Sequence, residues 1–328
     1  MIRNQWYAIL ESNEVRRGKP VGVTRMGEKL VAWRDSQGKV AVLHDRCAHR
    51  GVALSVGEVH GDCIWCPFHG FEFDADGRCT VVPANGRNAP VPKALTVQAY
   101  PTHEANGFIF IYWGEPEGEL APPRWFEDVP DTFSYGSARD PWHAHYSRVV
   151  ENQLDVPHVP FIHHNTIGRG GRTVMDGPWV EWQDPDRFFV RTSMRADDGT
   201  PARSAKEMDP PDKPFHLEFI FPNLWQNWIS DKVRVVAAFA PVDDENTMLY
   251  LRFYQSFMRT PGVRHFINWS AMFFNTAVAH QDRRVVVTQE PKRSDLRIGE
   301  KLIPGDAPII AYRRRRQELI EAGAGAAE

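Results

Sequence analysis

The 328-residue sequence predicts a small all-β domain followed by a larger α+β domain. Three observations carry this expectation. Short apolar runs alternate with turn signals through the first third, an aperiodic stretch rich in Pro, Gly and Glu follows, and beyond it strand patterns mix with long helical ones.

In the first third the runs VGVTRM, KLVAWRD and VAVLHD, the last two separated by the turn SQGK, read as strands, as does GFEFDADGRCTVV at 70–82. The segment GEPEGELAPPRW, residues 114–125, has no periodicity and reads as a linker, which places the domains at 1–115 and 116–328. In the second domain RFFVRTSM and RVVAAFAPV read as strands. A long helix is predicted after Pro261, a residue suited to a first turn. There Val263, Phe266, Ile267, Phe274, Val278, Val285 and Val286 recur at helical spacings as a candidate buried stripe. Asp282 lies four residues from both Val278 and Val286, so a carboxylate falls on an apolar face, where it needs a cation or strong donors.

Composition narrows the function. Lys plus Arg number 39 against 42 Asp plus Glu, a net charge of -3, which gives no electrostatic reason for a nucleic-acid partner and favours a small-molecule ligand. The start lacks a basic segment followed by an apolar one, and no eighteen apolar residues run together, so a soluble, cytoplasmic protein without membrane attachment is expected. All four cysteines, Cys47, Cys63, Cys66 and Cys79, crowd into one short stretch, which favours a local metal site over dispersed cross-links.

Within that stretch Cys47-Ala48-His49 is followed by Cys66-Pro67-Phe68-His69, so each half offers one thiolate and one imidazole. In a Rieske [2Fe-2S] centre two Cys hold one iron and two His the other. The segments RCAHRG and CPFHGFEFDADGRC resemble the two cluster-binding loops of Rieske proteins, a resemblance covering about residues 4–112, with Gly51 and Gly70 where tight turns are needed. It implies Cys47, His49, Cys66 and His69 as cluster ligands. A structural zinc site offers the same ligand types, but zinc fingers of that composition pair Cys with Cys and His with His. Cys63 forms a C-x2-C pair with Cys66; the resemblance places it, like Cys79, on a flanking strand as a packed thiol.

The second domain contains ENQLDVPHVPFIHHNTIG, in which Asn152, Asp155 and His158 recur every three residues and His163 follows five after His158. That spacing is wrong for one face of a straight helix, and Pro157 and Pro160 give a reason for a kink. Two His with Asp282 compose a 2-His-1-carboxylate facial triad, which leaves positions open on Fe(II). The pattern N-x2-D-x2-H-x4-H is similar to the mononuclear iron motif of Rieske non-haem iron oxygenases, its form being that of dicamba O-demethylase and related monooxygenases. HQDRRVVVTQEP resembles the region of the family's carboxylate ligand. His164 is a rival to His163, since the family spacing admits either, and Asp282 has a second reading as a helix-face acid paired with Arg283 or Arg284.

The resemblance further implies a helix-grip (START-like) catalytic domain and a head-to-tail homotrimer, in which Asp155 joins His158 to His69 of the adjacent copy. Asn152 enters as a residue of the same catalytic segment. No dinucleotide or flavin signature is present, so a separate NAD(P)H-dependent reductase, with or without a ferredoxin, is expected to feed the cluster. The implied reaction is O2-dependent monooxygenation, by hydroxylation or oxidative O- or N-demethylation, of an aromatic or polycyclic compound. Arene dihydroxylation is the alternative, and a pure Rieske electron carrier or a helix-grip lipid carrier are readings of other classes. Trp225, Trp228, Phe273, Phe274 and Asn275 are candidate wall residues, with Asn227 and Gln226 as candidates to orient a polar group. The basic run Arg313 to Arg316 reads as a solvated helix face or subunit contact.

Overall fold

The computed structural model describes residues 1–212 and 215–325. The chain divides into two compact units, Asn4–Pro123 and Arg124 onward, the latter taking in Met1–Arg3.

The first unit holds eleven strands: β1 (Gln5–Glu11), β2 (Val21–Arg25), β3 (Glu28–Arg34), β4 (Val40–His44), β5 (Glu58–His60), β6 (Cys63–Trp65), β7 (Glu72–Phe73), β8 (Cys79–Val81), β9 (Ala99–Tyr100), β10 (Thr102–Ala105) and β11 (Phe108–Trp113). They form three antiparallel sheets in the orders β1-β11-β10, β2-β3-β4-β9 and β5-β6-β7-β8. Trp33, Leu43, Leu54, Ile64 and Phe73 pack with Cys47 and Cys66 in one cluster, so the two cysteines emerge from the core itself.

The second unit is built on a seven-stranded antiparallel sheet, β12 (Ser134–Trp142), β13 (Val174–Asp184), β14 (Arg187–Arg195), β15 (His216–Ile220), β16 (Leu224–Ser230), β17 (Val233–Pro241) and β18 (Thr247–Gln255), in the order β12-β18-β17-β16-β15-β14-β13. Its helices are α1 (Tyr146–Leu154), α2 (Val159–Ile162), α3 (Val263–Val286) and α4 (Ala307–Gly325). Residues opposite one another in neighbouring strands share a face, so the row Gly136, Phe253, Val235, Asn227, Leu217 and Val190 defines one side of the sheet. That side receives α3. A Cβ on Gly136 would sit 2.8 Å from the Asn268 carbonyl oxygen and the Met272 side chain, so only glycine admits the helix this closely.

The phase of α3 differs from the sequence expectation. Its buried residues are Asn268, Met272, Ala279, Asp282 and Val286, whereas Val263, Phe266, Phe274 and Val285 are exposed. Its four aromatic residues, Phe266, Trp269, Phe273 and Phe274, all lie on the exposed side, so apolar periodicity alone does not pick out the buried face. Polar contacts fix it instead: Gln255 Nε2 donates to Asn268 Oδ1 (3.2 Å), and Asp282 is drawn toward two imidazoles described below.

The basic run is also corrected. Arg313 and Arg316 are buried. Arg313 Nε donates to Glu151 Oε1 (2.6 Å) and its Nη2 to Glu300 (2.6 Å), while Arg316 donates to the Tyr146 hydroxyl (2.9 Å) and the Ser294 carbonyl (3.0 Å). These bonds tie α4 to α1, and removing one partner would strand a buried charge.

His145 caps α1, its Nδ1 accepting from the Ser147 amide (3.3 Å). Burial first, then Arg316, Arg293 and the N-terminal amine, hold the imidazole down at about 3, with Asp295 pulling the other way. The folded state therefore keeps His145 neutral in a range where the unfolded chain, at its ordinary 6.5, takes up a proton. Its contribution to stability is intact above the unfolded value and is lost as pH falls toward the folded one, by up to a few kcal/mol. Thermal melts from neutral to mildly acidic pH should show falling midpoints, with a shallower fall in His145→Asn, which retains a capping acceptor. Parallel curves would show that another group governs acid sensitivity.

Candidate cluster site and metal centre

Two loops of the first unit share one hydrogen-bonding scheme. The Cys47 amide donates to Val52 O (2.8 Å) and the Gly51 amide to Cys47 O (2.9 Å); the Cys66 amide donates to Phe71 O (2.8 Å) and the Gly70 amide to Cys66 O (2.9 Å). Both glycines are left-handed, φ 72° and 74°. The loops present buried cysteines and exposed histidines, with the His49 and His69 rings 4.7 Å apart and Phe71 stacked on His49. Burial pushes the Cys47 thiol up to about 11, the neighbouring Cys66 adding to it against the His49 and Arg50 amides. Two thiols inside and two imidazoles at the surface fit a sulfur-bridged two-iron cluster, whose binding releases the thiol protons. Cys63 is half-buried on β6, its sulfur 3.7 Å from Thr80 Oγ1, and Cys79 is buried on β8.

The second constellation forms where α1 ends. Asp155 terminates α1, Pro157 follows, and the four-residue α2 has His158 at its N-cap and His163 at its C-cap. The two histidines thus flank one short helical turn, which the break at residues 155–157 sets apart from α1. His158 Nε2 and His163 Nε2 are 3.3 Å apart, and Asp282 Oδ1 lies 3.3 and 2.9 Å from them. Ligands at right angles around a metal, with bonds of ~2.1 Å, lie ~3 Å apart, so this triangle fits one face of an octahedral ion. Among the described residues it is the group of such side chains close enough to share an ion. His164 is exposed, its Nδ1 donating to the Phe161 carbonyl (2.9 Å).

Charge is arranged to match. Burial raises the Asp282 carboxyl, but contact with His158 and His163 outweighs it and holds the group below the usual carboxylate range. Burial disfavours the His158 cation, yet Asp155 and Asp282 lift the imidazole to about 9. A divalent ion would take the place of that proton.

Gln281, which the sequence reading missed, orients the second imidazole. Its Oε1 accepts from His163 Nδ1 (2.8 Å) and from Thr166 Oγ1 (2.9 Å), while its Nε2 donates to Asn165 Oδ1 (3.1 Å). The proton is thereby held on Nδ1, and the Nε2 lone pair faces Asp282. Its position beside Asp282 in HQDRR was the available signal. Asp155 Oδ1 accepts from the His158 amide (3.3 Å) and lies 3.8 Å from His158 Nδ1, longer than a hydrogen bond. Asn152 and Asp155 both open on a cavity of about 320 Å³ that also reaches Arg148, Glu300 and Asp306.

The candidate wall residues divide by strand parity. Trp225 and Asn227 lie on the sheet face that receives α3. Trp228 and Gln226 lie on the other. Arg234 sits 4.4 Å over the Trp228 ring, and Gln226 donates to Asp128 (2.8 Å) and contacts Glu218, so both are corrected to structural roles. Phe273 is 73 % exposed and lies half a turn from Asp282 around α3, stacked beside Trp269, which removes it from the wall; Phe274 is also exposed. Asn275 falls two helical turns before Asp282 on the same side, its Nδ2 donating to the Ala271 carbonyl (2.8 Å).

Comparison with known proteins decides the family. Residues 5–101 match the Rieske [2Fe-2S] domain, and residues 142–322, more than half the chain, match the vanillate O-demethylase oxygenase C-terminal domain. The chain belongs to the Rieske oxygenases. This Rieske oxygenase chain is 32 % identical over 174 residues, 51 % of its length and 48 % of the relative's, to the toluene-4-sulfonate monooxygenase system iron-sulfur subunit TsaM1 of Comamonas testosteroni. It is 34 % identical over 170 residues, 48 % of its length and 42 % of the relative's, to the oxygenase component of 3-ketosteroid-9-alpha-monooxygenase of Rhodococcus rhodochrous. The matched stretch spans about half the length of these curated relatives. Among solved structures, NdmA of Pseudomonas putida CBB5 superposes with a TM-score of 0.77 at 24 % identity, covering 98 % of this chain and 92 % of that one. Apo dicamba monooxygenase gives 0.74 at 21 % identity, covering 99 % of each chain. The Rieske oxygenase fold, a β-rich cluster domain before an α+β domain with one large sheet, is common to all of them. No helix among the described residues is long and apolar enough to cross a membrane.

Proposed function

We propose that this chain is the terminal component of a monooxygenase that hydroxylates, or oxidatively O- or N-demethylates, an aromatic or polycyclic small molecule with electrons from a separate NAD(P)H-dependent reductase, directly or through a ferredoxin. The observation that carries the reading is the meeting of His158 Nε2, His163 Nε2 and Asp282 Oδ1 within 4.8 Å of one another in a chain that also bears a Rieske domain. The family's cluster supplies single electrons, and its mononuclear iron supplies open positions for O2.

Cys47, Cys66, His49 and His69 would hold the cluster; His158, His163 and Asp282 would hold the iron. Gln281 keeps the His163 proton on Nδ1. Asp155 faces the His158 Nδ1 edge at 3.8 Å, where its carboxylate would orient that imidazole toward an ion held at Nε2. Asn152, whose Nδ2 is buried without a partner among the described residues, lines the same cavity as Asp155. In a head-to-tail trimer the second oxygen of Asp155 meets His69 of a neighbouring copy. The names of the curated relatives, which refer to an aryl sulfonate and a ketosteroid, support a ring-bearing substrate.

The test is turnover under isotopically labelled O2 with a surrogate reductase, across methoxy-arenes and polycyclic compounds. One labelled oxygen atom per product molecule, with coupled reductant use, is expected. Two labelled atoms would instead establish dihydroxylation, and no coupled oxygen uptake from cluster-replete, iron-replete protein would sink the proposal.

A further inference from the structure

The sheet face turned toward α3 bears two polar groups that the protein itself does not satisfy. Trp225 and Asn227 are two residues apart on β16 and therefore point to the same side. Trp225 is 5 % exposed, and its indole Nε1 is buried with no hydrogen-bond partner among the described residues; the same holds for Asn227 Oδ1. Across the ladder they are flanked by Leu217, Val235 and Ala237, with Leu251 and Phe253 one strand further on. No lysine or arginine occupies the strand rows of this face. Arg139, Arg187, Arg191, Arg195, Arg234 and Arg252 all fall on the alternate rows, where Glu218 pairs with Arg187 and Asp128 with Arg234.

A buried donor left unmet is destabilising, and folded proteins retain such groups where a ligand completes them. An indole N–H can only donate, whereas a carboxamide offers a donor at one end and an acceptor at the other. The fixed demand is thus for an acceptor opposite Trp225, with Asn227 able to meet either kind of group. An anionic substituent placed against Trp225 and Asn227 would lose its hydration without gaining a counter-charge from the strand rows around them.

Resting on the reading of the triad as an oxygenation site, we infer that the substrate is an uncharged ring compound bearing a carbonyl-type acceptor, and that Trp225 is the specificity-determining residue that receives it. A site built to hydrogen-bond a polar group rejects the analogue lacking it, because its own polar atom is then left buried and unpaired.

Equilibrium dialysis on cluster-containing, iron-loaded protein under anaerobic conditions tests this with matched pairs of increasing size: acetophenone and ethylbenzene, fluorenone and fluorene, anthrone and dihydroanthracene. Benzoate and fluorene carboxylate are the anionic counterparts. In at least one pair the ketone should bind ~10-fold more tightly than its hydrocarbon, and Trp225→Phe should bring that ratio close to unity. The inference is overturned if no ketone is preferred, if a carboxylate binds more tightly than its ketone counterpart, or if the preference survives Trp225→Phe. The wild-type series is decisive by itself should the variant not fold. Iron and sulfide assays on the same samples separate the two questions: missing iron defeats the oxygenase reading, whereas metal-replete protein without ketone preference defeats only this one.

Discussion

Asp282→Ala is expected to yield a protein that keeps the visible absorption of its cluster but loses the mononuclear iron and, with it, oxygenation. Asp282 is buried on α3 and contacts both imidazoles through one oxygen, so its removal leaves two neutral donors on one edge of the triangle and nothing on the third corner. Two imidazoles retain an ion far less well than a set with an anionic oxygen, and the residues proposed to hold the cluster belong to the other unit. Metal analysis should give ~two iron atoms per chain in place of ~three, with sulfide unchanged. Turnover should fall on the order of 1,000-fold or more, since the loss of a ligand exceeds the effect of losing a group that only orients one. Full iron content in the variant would mean that the triad is not the iron site.

Asp155→Asn is expected to leave both metal populations in place while slowing substrate oxidation by ~100-fold. The carboxylate faces His158 without touching the triangle: its nearest imidazole atom is Nδ1 at 3.8 Å, and its hydrogen bond is to the His158 amide. An asparagine preserves that amide bond and the size of the side chain but removes the negative charge that draws the outer edge of the His158 ring. Single-turnover measurements on the pre-reduced variant check this. Product forming at the wild-type rate, with iron and cluster intact, would remove Asp155 from any connecting role.

Much of the architecture was legible in the sequence because it rests on local signals. Alternating runs marked the strands of the first unit, whereas the observed division between Pro123 and Arg124 falls eight residues past the expected boundary at 115/116, inside the aperiodic stretch 114–125. The cluster loops were legible because each carries its Cys, His and Gly within a few residues, and the backbone closes each loop on itself. The proline-broken segment from Asp155 to His163 was legible for the same reason: Pro157 stands at the break that sets α2, with its two flanking imidazoles, apart from α1.

What the sequence by itself determined, then, were features whose causes lie within a handful of neighbouring residues: two cluster-type loops, a helix broken just before a pair of histidines, and a carboxylate on a distant helix. Only the tertiary structure decided the rotation of α3, because the aromatic side of this helix is the exposed one and the buried side was chosen by Gly136, Gln255 and the imidazoles packed against it. It also decided that Trp225 and Asn227, but not Trp228 and Gln226, share a face with that helix, and that Arg313 and Arg316 are buried in bonds to α1 and its surroundings. Strand register and long-range pairing set these outcomes, and a one-residue difference in parity turns a side chain from one side of a sheet to the other.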